Sequence, residues 1–227
     1  MKIRCEYSVG PELKFLSNLD MMHMMERSLR RAGIPYAQSE GFNPHIKLSM
    51  GTVLPVGLWG AREYFDLELT KTLDINWFRE QMNAVLPPYI IINRGIAIDS
   101  NEPSLMKTIN AASYCFKIQR ISELEVNQLL DNVMKLPDLI FTSRGKKKDV
   151  KKDLKPSIYK IAVKGLDDSV IIDLTVAIGE PVNVRFDELK DLLLWAGIKE
   201  DDMVDVYRKA NYIIKAADYY SPLEKVV

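Results

Sequence analysis

Residues 15–57 read FLSNLDMMHMMERSLRRAGIPYAQSEGFNPHIKLSMGTVLPVG, and the fold reading turns on them. Ser17 stands where a helix N-cap belongs. Asp20, three residues on, suits the first turn, where a carboxylate meets unpaired N–H groups and the positive helix end. Positions 21, 24, 25, 28, 29 and 32 are Met, Met, Met, Ser, Leu and Ala. That is the spacing of a buried helical stripe, so it predicts a helix to about Ala32, stopped by Gly33. Asp20, His23, Glu26, Arg27, Arg30 and Arg31 share the opposite face. Residues 38–46 (QSEGFNPHI) then read as a loop, with Gly41 free to take positive φ and Asn43-Pro44 favouring a turn.

Outward from this stretch, residues 2–9 (KIRCEYSV) alternate as a half-buried strand, and Gly10-Pro11 breaks it. Lys14-Phe15-Leu16 reads as a further extended piece, and 47–50 as a short strand. Residues 62–70 alternate again. Asp74 caps a helix that ends near Leu86 at Pro87-Pro88, and 89–98 is β-branched. The second half repeats the layout with strands at 113–119 and 139–143 and a helix capped by Ser122. A hairpin around Asp167-Asp168, a helix over 186–196 and a strand over 203–214 complete it. The expected fold is α+β: tandem ferredoxin-like βαββαβ domains with antiparallel sheets, spanning 1–110 and 111–227.

Charge is balanced, with 31 basic and 31 acidic side chains, so any electrostatic site must come from local clustering. Cys5 and Cys115 lie in separate apolar stretches and read as buried thiols of a reducing, cytoplasmic setting. No signal peptide and no apolar run of membrane length is present. Two histidines and two distant cysteines do not make a usual zinc or iron–sulfur site, so no cofactor is expected. P-loop, GxGxxG and GxSxG spacings are absent.

The candidate chemistry is anion binding. His23, Arg27 and Arg31 are successive i, i+4 neighbours, and Arg30 lies beside them. Guanidinium forks match phosphate oxygens. The competing reading is a solvated face partly neutralised by Glu26–Arg30. The loop Gly41-Phe42-Asn43-Pro44-His45, with Lys47, Gly51 and Gly57, offers backbone N–H groups and a near-neutral titrating ring. His45 is the candidate general base. Phe42, Tyr36 and Trp59 are candidate stacking surfaces for bases, or core. The run RGKKKDVKKDLK (144–155) brings Lys146, Lys147, Lys148, Lys151 and Lys152 together, either as a hairpin loop or as a nucleic-acid arm.

Three runs also carry a resemblance: Lys14 to Asp20, Glu26 to Pro35, and Gly41 to His45 with Leu54-Pro55-Val56-Gly57. They resemble the radical-SAM-linked family of bacterial proteins, densely over residues 1–70 and thinly afterwards. Asn18, His23, Ile46 and Lys155 depart from that family's usual residues. The resemblance implies a gene beside, or a fusion to, a B12-binding-type radical SAM protein and an association with RNA modification or processing. At the level of fold alone, tandem ferredoxin-like domains are also similar to CRISPR repeat-processing endoribonucleases. The expected function is thus a non-catalytic RNA-binding accessory protein, with tRNA or another RNA and a radical SAM protein as partners. A metal-independent endoribonuclease using His45 and a protein-interaction scaffold are the alternatives.

Overall fold

A computed structural model describes residues 1–143 and 150–224. The chain forms two compact units: Met1–Ile109 together with the chain from Ala210, and Asn110–Lys209. The first unit thus takes chain from both ends, and the second is a single stretch.

Unit 1 begins with β1 (Lys2–Val9), α1 (Asn18–Arg31), β2 (Leu48–Met50), β3 (Trp59–Glu68), α2 (Ile75–Val85), β4 (Ile90–Ile98) and the single turn α3 (Leu105–Thr108). Unit 2 follows with β5 (Ala111–Ile118), α4 (Glu123–Met134), the small hairpin β6 (Ile140–Thr142) and β7 (Lys151–Asp153), β8 (Ile158–Leu166), β9 (Ser169–Ala177) and α5 (Phe186–Ala196). The long β10 (Met203–Lys215) gives its first part to unit 2, beside β5, and its remainder to unit 1, beside β3. β11 (Asp218–Tyr220) folds back on it. Among the described residues there are five α-helices, and no helix is long and apolar enough to cross a membrane.

In unit 1, β1 lies between β4 and β3, antiparallel to both, and β2 pairs antiparallel with β3. In unit 2 the order is β10-β5-β9-β8, with β9 antiparallel to β5 and β8. The α1 stripe does what its spacing predicts: Met21, Met24, Met25, Ser28 and Leu29 are buried. They pack with Ile3, Cys5, Tyr7 and Val9 of β1 and Phe78 and Met82 of α2. Burial pushes both cysteine thiols up, Cys115 to about 11, so neither is a thiolate at neutral pH.

Two expectations need correction. Lys14-Phe15-Leu16 does not extend a strand, because Pro11–Leu13 forms a 3-10 turn and Phe15 is left 73% exposed. Nor is β1 half-buried. Its second face carries Arg4 and Glu6, both almost fully buried among charged partners.

Ser17 Oγ accepts from the Asp20 N–H at 3.2 Å, and the Asp20 carboxylate accepts from the Ser17 N–H. The Ser17 side chain and backbone hold the Asp20 carboxyl below its ordinary 3.8, with help from His23 and Arg27. The same box at α4, Ser122 with Glu125, holds Glu125 below its ordinary 4.5. A depressed carboxyl stabilises the fold above its unfolded value and loses that contribution as pH falls through the lowered one. Thermal melts should therefore show stability dropping below about pH 4. Ser17→Ala should cost about 1 kcal/mol at pH 7. It should also flatten the acid-side slope.

Candidate functional site

The loop after α1 is braced from below. The Ser39 N–H donates to the His45 carbonyl at 2.8 Å, the His45 N–H to Ser39 Oγ at 2.9 Å, and the Lys47 N–H to the Ala37 carbonyl at 2.9 Å. Gln38 and Ile46 form an antiparallel bridge across its neck. Above that neck, Glu40 to Pro44 turn through Gly41, whose φ of +119° suits glycine. Phe42 sits at the tip, fully exposed. A phenyl ring held in water by an ordered neck has no packing role in this unit. Asn43, Pro44 and His45 are exposed beside it in sequence. The backbone of His45 braces the loop and leaves the ring outward.

The cationic face of α1 is partly spent inside the chain. Arg30 pairs with Glu26 at 3.7 Å, and Lys47 pairs with Glu68 at 3.0 Å. Arg31 donates to the Val85 carbonyl at 2.8 Å, closing an open carbonyl at the end of α2, and to Ser28 Oγ at 3.2 Å. Arg27 and His23 remain exposed, close enough to Asp20 to lower its pKa. His23, Arg27, Arg30 and Arg31 are thus all exposed on the helix, Arg30 and Arg31 held by Glu26 and the Val85 carbonyl, while the loop is braced by separate contacts. Two loop amides are also occupied: the Gly51 N–H donates to the Tyr64 carbonyl and the Gly57 N–H to the Lys14 carbonyl. A Cβ on Gly51 would stand 3.0 Å from that Tyr64 oxygen, so the glycine serves close strand approach, not anion binding.

The lysine run divides as well. Lys146, Lys147 and Lys148 lie outside the described residues. Lys151 is exposed on β7, whereas Lys152 is nearly buried, with Nζ 2.6 Å from Glu188 and 2.5 Å from the Asn183 carbonyl. Of the other aromatics, Tyr36 packs on the unit 1 core, and Trp59 is half-buried.

Sequence reasoning missed a small cleft at the start of α1. Leu13, Leu16, Asn18 and Met21 line one side, and Met50, Leu54 and Leu58 line the other. Phe15, Leu19, Val53 and Val56, on the same two segments, are exposed apolar side chains. The signal was present as Phe15 and Leu19 on the wrong side of the methionine stripe, but a strand reading of 14–16 concealed it.

These features define a mixed α+β protein with largely antiparallel strands, an exposed aromatic loop and a small cleft at the start of α1. Residues 2–186 match the family DUF2344, described as uncharacterized protein conserved in bacteria, and the chain belongs to that family. No curated protein matches it. A solved crystal structure of a Cbf5-Nop10-Gar1 complex is similar at a TM-score of 0.53 and 12% identity, over 92% of this chain and 48% of that one. The chain spans about half the length of that chain, and at such identity the likeness concerns the fold alone.

Proposed function

We propose that the chain is a non-catalytic RNA-binding protein that works with a radical SAM enzyme in RNA modification or processing, built on two ferredoxin-like units. The strand orders β4-β1-β3 with β2 on β3, and β10-β5-β9-β8, support the ferredoxin-like reading. The radical SAM partnership rests on the resemblance carried by residues 14–57. One observation carries the RNA reading: Phe42 is held fully in water at the tip of a braced loop. Aromatic rings so placed stack unpaired bases, while Arg27 and the outward ring of His45 are available to backbone phosphates.

Filter binding of tRNA across a salt series tests this. Affinity near micromolar at low salt should weaken as salt rises, because phosphate contacts release counterions. Phe42→Ala should lose about 10-fold to 100-fold, the worth of one stacked base. Arg27→Ala should lower the salt slope by about one. Millimolar affinity at low salt, or indifference to Phe42→Ala, would sink the reading. Digestion of labelled RNA in EDTA, with His45→Ala as control, separates binding from the endoribonuclease alternative.

The exposed Phe15, Leu19, Val53 and Val56 around the cleft favour a second reading, docking on the enzyme subunit as a scaffold. Co-purification that resists nuclease and disappears in Phe15→Ser/Leu19→Ser identifies it.

A further inference from the structure

One face of the unit 2 sheet is taken by its helices. Phe186 of α5 lies against Tyr114 and Phe116, with ring centroids 5.9 Å apart in each case. Glu123 of α4 accepts from the Gly165 N–H at 2.7 Å, and a Cβ on Gly165 would run into that carboxylate. Side chains alternate along a strand, so Tyr114, Phe116 and Gly165 fix which of their neighbours point the other way.

That other face carries three lysines. Register sets Ile171 of β9 opposite both Lys117 of β5 and Lys164 of β8, and Thr175 opposite Lys160 of β8. Lys117 and Lys164 therefore stand two strand spacings apart, about 10 Å, and Lys160 lies about 13 Å along β8 from Lys164. Only small side chains, Ala162 and Cys115, stand opposite Asp173 between them. Lys160 and Lys164 are exposed, and Lys117 is half-buried.

Elsewhere the chain neutralises its lysines, as in Lys47 with Glu68, Lys152 with Glu188 and Lys190 with Glu200. Here it does not. Asp173 is the one carboxylate on this face of β5, β8 and β9, and Lys209 of β10 holds it at 2.5 Å. Among the described residues, no carboxylate lies within ion-pair distance of Lys117, Lys160 or Lys164. Asp167 and Asp168 sit beyond Leu166, at the turn that joins β8 to β9. Lysines on the edge strand β8 alone would serve to block edge-to-edge pairing. Lys117 is on β5, an interior strand, and guards no edge. In a chain of zero net charge, three unpaired lysines on one face concentrate positive potential where the helices leave the sheet uncovered.

We infer that this face of unit 2 binds the phosphate backbone of an RNA strand. That the strand is RNA rests on the reading above, but the surface shares no residue with the 38–47 loop. The ammonium groups ride on flexible four-carbon stems, so they contact phosphates as point charges and read no sequence. Open sheet faces carry single strands in other RNA-binding folds.

Fluorescence anisotropy of the full chain with a twelve-nucleotide oligouridylate across a salt series tests this. Lys117→Gln/Lys160→Gln/Lys164→Gln should lower the log–log salt slope by about 2, at roughly 0.7 per single-strand phosphate contact. Amine acetylation of the unsubstituted chain, read by mass spectrometry, is the second measurement. Saturating oligouridylate should slow modification of Lys160 and Lys164, while Lys135, at the end of α4, reacts as before. An unchanged slope, or equal reactivity of Lys160 and Lys164 with and without RNA, overturns the proposal and leaves the Phe42 reading intact. A slope that falls by about 2 while Phe42→Ala binds as tightly as the parent upholds this surface and removes the loop. Polyglutamate that protects the same lysines as tightly as the oligouridylate assigns the face to acidic proteins, which also overturns the proposal.

Discussion

Asp66→Ala is expected to destabilise the protein by about 3–5 kcal/mol, the cost of leaving a buried charge without its partner. The side chains of Arg4 and Asp66 are 3% and 2% exposed. Two parallel hydrogen bonds join them, and the Pro103 and Pro222 carbonyls accept from two more of the five guanidinium N–H groups. Removing the carboxylate leaves those carbonyls in place but no counter-charge. Lys2, 3.7 Å from Asp66, adds a second cation with the same problem. Arg4→Met/Asp66→Leu should recover most of the loss, because apolar side chains of similar volume replace such a pair at little net cost. Urea unfolding with an unchanged slope is the measurement. A single-mutant loss below about 1 kcal/mol would mean that the pair behaves like a hydrated surface bridge.

That pair also marks where sequence reading stops. Local signals are legible because a cap and its partner are three residues apart. Ser17 with Asp20, Ser122 with Glu125, Gly33 after α1 and Gly197 after α5 fall where their chemistry requires. The methionine stripe of α1 and the Asp167-Asp168 turn between β8 and β9 are equally local. Arg4 and Asp66, by contrast, are 62 residues apart, and alternation along β1 reads a charged residue as solvent-facing whether or not something covers it. The same limit applies to the site. Glu26–Arg30 was readable from i, i+4 spacing, but Lys47–Glu68 and Arg31 on the Val85 carbonyl are tertiary, and they remove cations from the expected cluster. Nor does any short-range pattern announce that β10 divides between the two units. Buried Asn211 marks that return, donating to the Arg62 carbonyl and accepting from Thr52 Oγ1.

Glu188→Ala is expected to cost about 3 kcal/mol, and the loss should identify Lys152 as structural. The Glu188 carboxylate is 1% exposed and does two jobs at the start of α5. It accepts from the Arg185 N–H at 2.8 Å, satisfying a free amide of the first turn, and it neutralises Lys152 at 2.6 Å. Glu188→Gln retains an acceptor for that amide and removes the charge, so its loss relative to Ala separates the two contributions. Lys152→Ala should lower the melting temperature while leaving the salt slope of tRNA binding unchanged. A lysine that gripped phosphate would do the reverse, reducing the slope by about one at little cost to stability. Because the Lys152 ammonium is only 12% exposed and also donates to the Asn183 carbonyl, leaving this pocket for a phosphate would strand Glu188 without a counter-charge. The energy of the buried pair therefore argues against Lys152 as part of a mobile arm.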